Sequence, residues 1–260
     1  MERYKKKYGE NLRLPFRRLL HLLYPPRCPF CDRIIVHSLF MDTPDICGQC
    51  IGKPEYAVEP LCKKCGKPIS DERLEYCYDC RKMPHAFEQG KSLYLYKGAV
   101  KESIYRFKYG NRREYAVYYG HEIVRRYGAW IRNQNIEAII PIPLHQKRKR
   151  QRGFNQAELL AREIGRSMEI PVYTDLLKRI KNTKPQKQLN DAERKNNLKK
   201  AFKISPNKVQ LNHILLVDDI YTTGSTIDGA AKELIRGGTT CVYYVGISIG
   251  RGFEEEVLWR

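Results

Sequence analysis

The chain has 260 residues, enough for one large domain or two modest ones, each able to bury a hydrophobic core. Lys and Arg outnumber Asp and Glu by 48 to 29, a formal charge of +19 that points to polyanionic partners: nucleic acid, a phosphorylated substrate or an anionic membrane surface. No apolar run approaches the roughly 20 residues that span a bilayer, so the expectation is a soluble, cytoplasmic protein.

Met1–Tyr24 is basic and then apolar. Its apolar run, Leu19–Tyr24, is short and broken by His21, follows Arg17 and Arg18, and precedes no small-residue cleavage site, which argues against a secretory signal. Pro15 opens and Pro25-Pro26 ends what reads as an amphipathic helix. Eight of the nine cysteines then fall between residues 28 and 80. This shift in composition sets a boundary near Pro84. Region 1–84 carries the helix and the cysteines, and region 85–260 carries alternating apolar runs and helical patterns, as in an α/β domain.

The cysteines form four Cys-x-x-Cys pairs: Cys28/Cys31, Cys47/Cys50, Cys62/Cys65 and Cys77/Cys80. Fifteen residues separate the first two pairs and eleven the last two. Two residues between paired cysteines let both sulfurs face one ion from a tight turn, and zinc takes four such ligands in a tetrahedron. Four disulfides would suit a secreted mini-domain, but no secretory signal is read here. A run of redox pairs lacks a thioredoxin-like setting. The expectation is about two structural Zn2+ ions. Pairs sharing an ion are either neighbours or interleaved, and the spacing leaves both open. A ribbon this small folds on its metal rather than on burial alone.

In the second region, Ser92–Tyr96 reads as a strand, Ile104 and Phe107 as one face of a short helix, and Ala116–Trp130 as a longer helix. Ala138–Ile140, ending at Pro141, reads as a buried strand. Ala157, Leu160, Ala161, Ile164 and Met168 mark a helical face, His213–Val217 another strand, and Ile227–Ile235 a helix stopping at Gly237-Gly238. Cys241–Ile247 is a last β-branched strand, with Cys241 expected as a small buried residue. Repeated strand–helix–strand units predict a mostly parallel sheet with right-handed crossovers.

The segment Leu215–Thr226 carries the sharpest chemistry. A buried strand ends in Asp218 and Asp219, followed by Tyr221, Thr222, Thr223, Gly224, Ser225, Thr226 and then a helix. Amides at a helix start, aided by hydroxyls, form a nest for a phosphate monoester. Gly224 lets backbone approach without a Cβ. The carboxylates are acceptors suited to ribose hydroxyls. An ordinary strand–turn–helix, with an acid capping the loop, is the bland alternative. A P-loop is excluded because the chain has no G-x-x-x-x-G-K-[ST].

An apolar strand, two acids, three variable residues and Thr-Gly-x-Thr resembles the phosphoribosyl-pyrophosphate motif of type I phosphoribosyltransferases. Pro141-Ile142-Pro143-Leu144-His145, Arg152-Gly153-Phe154-Asn155-Gln156 and Lys184-Pro185-Gln186-x-x-Leu189, with Arg194, Asn197 and Ala201-Phe202, join it and the cysteine pairs. Together, from Leu19 to Ile249, they resemble the ComF family of competence proteins in its C-type form. That form pairs a zinc ribbon with a phosphoribosyltransferase domain.

The resemblance implies an α/β fold of the type I phosphoribosyltransferase kind behind the zinc-ribbon region. The 5-phosphate of phosphoribosyl pyrophosphate would sit in Thr222, Thr223, Gly224, Ser225 and Thr226, and its ribose hydroxyls on Asp218 and Asp219. Mg2+ would bridge pyrophosphate and ribose. Leu144–Lys147, with Leu144 and His145, would hold the pyrophosphate beside Arg152. A loop over Asn182–Asn197 would close the site, with Lys184 and Arg194 neutralising the leaving group by electrostatic positioning.

Bland readings stand beside these. Arg148, Lys149 and Arg150 read equally as a solvated charge run. Asn155 and Gln156 read as helix caps, and Arg194 as an exposed helix face. Tyr221 is placed either to stack on a base or to shield the loop. His121 and His145 receive no catalytic role.

Two function classes follow. One is phosphoribosyl transfer to a nitrogenous acceptor that no residue identifies. The other is a role in natural transformation: binding phosphoribosyl pyrophosphate or single-stranded DNA as the strand enters the cytoplasm, beside a helicase-like ATPase at the inner face of the membrane. The cationic stretches Arg106–Arg113, Lys147–Arg152 and Lys178–Lys187 suit single-stranded DNA.

Overall fold

The structure, a computed structural model, describes residues 25–35, 46–180, 201–205 and 210–250. The expected N-terminal helix, Lys184, Arg194 and the Asn182–Asn197 loop lie outside the described residues.

Four strands form one parallel sheet in the order β1-β6-β5-β2: β1 (Gly90–Leu95), β2 (Ala138–Pro141), β5 (His213–Tyr221) and β6 (Cys241–Ile249). The parallel register pairs Leu215 with Tyr243 and Asp218 with Gly246. β5 runs through the two acids to Tyr221, four residues past the apolar run that predicted it, because β6 pairs with it as far as Ile249. Its apolar residues alternate between two faces. Leu215 and Val217 join one hydrophobic cluster, and Ile214 and Leu216 the other. Burial on both faces is why the run is continuously apolar rather than alternating.

Helices cover each face. The first face packs α2 (Gly98–Tyr109), α3 (Tyr115–Asn133) and α5 (Gln156–Met168), whose buried stripe includes Leu160, Ala161 and Ile164. The second packs α6 (Ser225–Arg236) through Ile227, Ala230, Ala231 and Leu234. A short α1 (Tyr78–Lys82) lies within the cysteine region, and α4 (Gln146–Arg152) follows the loop after β2. A small antiparallel pair, β3 (Leu177–Arg179) and β4 (Phe202–Ile204), was not foreseen. Cys241, at the start of β6, is half-buried rather than fully buried, a correction to its expected burial. Among the described residues no helix is long and apolar enough to cross a membrane.

The cysteine region wraps the β1 edge. Residues Glu55–Ala57 run antiparallel to β1, with the Ala57 amide donating to the Leu93 carbonyl and the Leu95 amide to the Glu55 carbonyl, each at 2.8 Å. The chain before this crossing packs on the α3 face and the chain after it on the α6 face.

Candidate functional site

The eight cysteines gather as Cys28/Cys31/Cys47/Cys50 and Cys62/Cys65/Cys77/Cys80, the four sulfurs of each set lying within 4.8 Å of one another. Neighbouring pairs therefore share a site, and the interleaved arrangement is excluded. Cys31 and Cys47 Sγ are 3.6 Å apart, and Cys65 and Cys77 Sγ 3.7 Å. A tetrahedron with metal–sulfur bonds of about 2.3 Å has edges of about 3.8 Å, whereas a disulfide needs about 2.05 Å. Both sets fit Zn2+, and none of these cysteines is in a disulfide.

The first ribbon is fastened by side chains. Asp32, in the left-handed region with φ 62°, accepts from Arg112 Nε and Nη2 at 2.6 and 2.7 Å and from Tyr115 Oη at 2.6 Å. Arg106 Nη2 donates to the Phe30 carbonyl at 2.7 Å, and Phe30 meets Tyr94, Tyr118 and Tyr119 edge-on. These contacts seat the ribbon on α2 and the start of α3.

The second ribbon is fastened by close backbone approach and burial. Gly66, with φ 73°, lies so near β1 that a Cβ there would come within 2.6 Å of the Gly90 carbonyl oxygen. The Gly90 amide donates to the Lys64 carbonyl at 2.7 Å. Lys67, almost fully buried, pairs with Asp79 at 2.6 Å. Tyr221 lies against Tyr244 with ring centroids 5.4 Å apart and meets Phe87 edge-on at 6.2 Å. Burial pushes its hydroxyl well above the ordinary tyrosine range. The Ala86 amide donates to Asp228 Oδ1 on α6 at 2.6 Å.

Both fastenings lead to the carboxyl end of β5. Asp218 and Asp219 stand there side by side, and the Asp219 amide donates to Asp218 Oδ1 at 2.8 Å. Burial and the adjacent Asp219 charge push the Asp218 carboxyl up to about 7. Lys108, from α2, pairs with Asp219 Oδ2 at 2.9 Å. Arg179 of β3 acts on Asp218 electrostatically. Burial, then the Arg148 charge, holds the Arg179 guanidinium below the usual arginine range.

Thr222 and Thr223 form the turn, Gly224 caps α6 in the left-handed region at φ 76°, and Ser225 and Thr226 open the helix. Thr223 Oγ1 and Ser225 Oγ are 3.0 Å apart. Gly224 has no side chain to cap the helix start, the end of a helix that favours an anion. A Cβ on Gly224 would fall 2.2 Å from Tyr221 Oη, which therefore lies directly beneath the turn. This corrects the expectation that Tyr221 stacks on a base or shields the loop. The residue is 2 % exposed and faces the core.

Leu144 and His145 lie in the loop after β2, and His145 caps α4 by accepting from the Lys147 amide at 3.3 Å. Arg152 closes α4 and donates to Gln156 Oε1 and Tyr109 Oη, both at 3.1 Å. Arg179 acts electrostatically on Asp218, and the Arg148 charge acts on Arg179. The Arg152–Gln156 run is a clamp. Asn155 caps α5 and donates to the Ile142 carbonyl at 3.0 Å, and Gln156 Nε2 donates to the Phe107 carbonyl at 3.4 Å and the Lys108 carbonyl at 3.5 Å. It ties the loop after β2 to the end of α2 and holds Lys108 over Asp219. Sequence reasoning missed Lys108 and Arg179 as site residues. Each sat inside a basic stretch, and only the tertiary fold singles it out.

The arrangement suits a phosphate in the turn, hydroxyls or a hard cation at the acid pair, and further anionic groups before the arginines. Residues 19–81 match the double zinc ribbon domain. Over 223 residues the chain is 30 % identical to Competence protein F of Haemophilus influenzae, covering 78 % of this chain and 96 % of the relative. It is 29 % identical to Competence protein ComFC of Bacillus subtilis, covering 81 % and 89 %. It is 30 % identical to the DNA utilization protein YhgH of Escherichia coli, covering 76 % and 87 %. Among solved structures, an adenine phosphoribosyltransferase from Leishmania tarentolae aligns over 58 % of this chain and 74 % of its own, at 14 % identity and a TM-score of 0.31. The chain belongs to the ComF family of competence proteins, with a double zinc ribbon joined to an α/β domain built on a parallel sheet.

Proposed function

We propose that this protein binds phosphoribosyl pyrophosphate with Mg2+ at the carboxyl end of β5 and serves natural transformation by supporting the passage of single-stranded DNA into the cytoplasm. The observation that carries the ligand is the adjacency of Asp218 and Asp219 to a glycine-hinged turn opening α6. The 5-phosphate takes the first-turn amides with Thr222, Thr223, Ser225 and Thr226. The ribose hydroxyls face the two acids, and Mg2+ joins ribose and pyrophosphate. Arg148 and Arg179 join Leu144 and His145 on the pyrophosphate side, while Lys184 and Arg194 complete that charge from the Asn182–Asn197 loop.

The transformation role draws on the names of the relatives, competence and DNA utilization, and on the charge of +19. A helicase-like competence ATPase is the expected protein partner. The working location is the cytoplasm, at the inner face of the membrane when that partner is engaged. Titration with phosphoribosyl pyrophosphate and Mg2+, followed for pyrophosphate release with a panel of nitrogenous bases, tests the reading. Binding without release supports the uptake role. Release with one base makes the protein a transferase and names its acceptor. Absence of binding removes the ligand assignment.

A further inference from the structure

We infer that Tyr105 and Tyr109 form a platform on which bases of single-stranded nucleic acid stack, with Arg113, Arg148 and Arg152 contacting the phosphates between them. This rests on the reading that the protein handles single-stranded DNA, and it assigns that contact to one surface.

Helix α2 buries Val100, Ser103, Ile104 and Phe107 and turns Tyr105 and Tyr109 the other way. They are 65 % and 60 % exposed, with ring centroids 5.0 Å apart and planes tilted by 49°. Tyrosines at i and i+4 support a helix by themselves, but such a pair needs no cations from other elements. Here the Arg152 guanidinium stands 5.0 Å from the Tyr109 ring centroid and donates to its hydroxyl. Arg113 lies 4.9 Å from the ring of Phe154, two residues beyond Arg152. Burial, then the Arg152 charge, holds the Arg148 guanidinium below the usual arginine range.

Like charges are thus gathered beside exposed rings, an arrangement that a polyanion relieves. Arg148 in turn acts on Arg179, and Arg179 on Asp218, which links these cations electrostatically to the acid pair. Rings and cations interleaved at this spacing suit bases that are not already paired. Non-specific single-strand binders combine aromatic stacking with a cationic groove in this way. A duplex, with its bases stacked internally, gains only the charge.

The test is fluorescence anisotropy with a labelled oligothymidylate across a salt series, using full-length protein of checked zinc content. The Tyr105→Ala/Tyr109→Ala double variant should bind roughly ten- to a hundred-fold more weakly with the salt slope unchanged. Arg113→Ala should lower that slope by about one. Tyr105→Phe/Tyr109→Phe should restore affinity, because the ring rather than the hydroxyl is required. Tyr105→Trp should report the strand by quenching of its fluorescence, a readout that does not depend on a loss. Binding of phosphoribosyl pyrophosphate should be the same in wild type and Tyr105→Ala. If wild type binds the oligonucleotide and the double Ala variant matches it, the platform is wrong while DNA handling stands. If wild type does not bind at low salt, both are wrong.

Discussion

The two ribbons use the same four ligands, yet they hold different walls of one site. The first rests on α2 and α3 through the Asp32–Arg112–Tyr115 contacts and the edge contacts of the buried Phe30, all made by side chains. The second is sunk between β1 and α6. Glycine meets backbone there, and Tyr221 and Tyr244 fill the space up to the phosphate turn. The first thus steadies the helix that carries Lys108, and the second supports Gly224 from below. Identical metal chemistry has been joined to the domain in two ways, one through side-chain hydrogen bonds and ring edges and one through close backbone approach.

The comparison is broken most forcefully by deleting one ligand from each ribbon. Cys65→Ser and Cys31→Ser should each lower the zinc content from two to one. A structural zinc contributes on the order of 10–16 kcal/mol to a small fold, comparable with the whole stability of a domain. With the second ribbon's backbone set directly against β1 and its tyrosines beneath the phosphate turn, Cys65→Ser should abolish cooperative melting and ligand binding together. Cys31→Ser, whose thiol is half-exposed, should keep a cooperative melt and bind phosphoribosyl pyrophosphate within about ten-fold of wild type. Equal damage from the two would erase the distinction.

The next largest effect is expected at Gly224. Substitution by Ala forces a left-handed residue, costing roughly 1–2 kcal/mol, and drives Cβ into Tyr221 Oη. Affinity for phosphoribosyl pyrophosphate should fall about a hundred-fold with both zincs retained, since misplaced phosphate contacts are lost as a set. Adding Tyr221→Phe, which removes the clashing oxygen, should recover part of it. No recovery would mean that Tyr221 does not support the turn.

Asp32→Asn sharpens the other side. Loss of a charge-assisted contact costs about 1–3 kcal/mol, which should appear as a lower melting temperature with little change in ligand affinity. Burial opposes ionisation of Asp32, but hydrogen bonds from Arg112 and Tyr115 hold its carboxyl below the usual range. Its contribution is therefore present above the unfolded carboxyl range and disappears as pH falls through the lower folded value. Wild type and variant should converge in acid, and a difference that persists there would rule out this ion pair as its source.

The smallest expected effect is a pH profile. The Asp218 carboxyl titrates near 7 in the folded chain against 3.8 unfolded. The folded state therefore holds the proton more tightly between those values, and this group lowers stability as pH rises through that window. Mg2+ favours the carboxylate, so affinity for the magnesium complex should rise through about pH 7, and Asp218→Asn should flatten that rise. An unflattened profile would assign the titration to the ligand.

Much of this was legible in the sequence because local chemistry fixed it. Leu215-Leu216-Val217 before two acids reads as a doubly buried strand, and Gly224 as a turn that needs a missing Cβ. Cys-x-x-Cys spacing specified zinc, but not which pairs share it, because that depends on how the chain crosses the β1 edge at Glu55–Ala57. Lys108 and Arg179 looked like neighbouring surface cations. Their separation from those neighbours comes from the Gln156 clamp and from the β3–β4 pair, whose three-residue strands are too short to leave a periodic signal. Tyr221 was misread because strand pairing through Ile249 turns it inward.

The claim on which the rest depends is that the acid pair and turn at the end of β5 hold phosphoribosyl pyrophosphate. Calorimetric titration with the ligand and Mg2+ measures this directly on wild type, Asp218→Ala and Asp219→Ala, each checked for two bound zincs. Saturable binding by wild type should weaken at least ten-fold in both variants while zinc content and cooperative melting persist. Undiminished affinity in the variants, or no binding by wild type, would contradict the assignment.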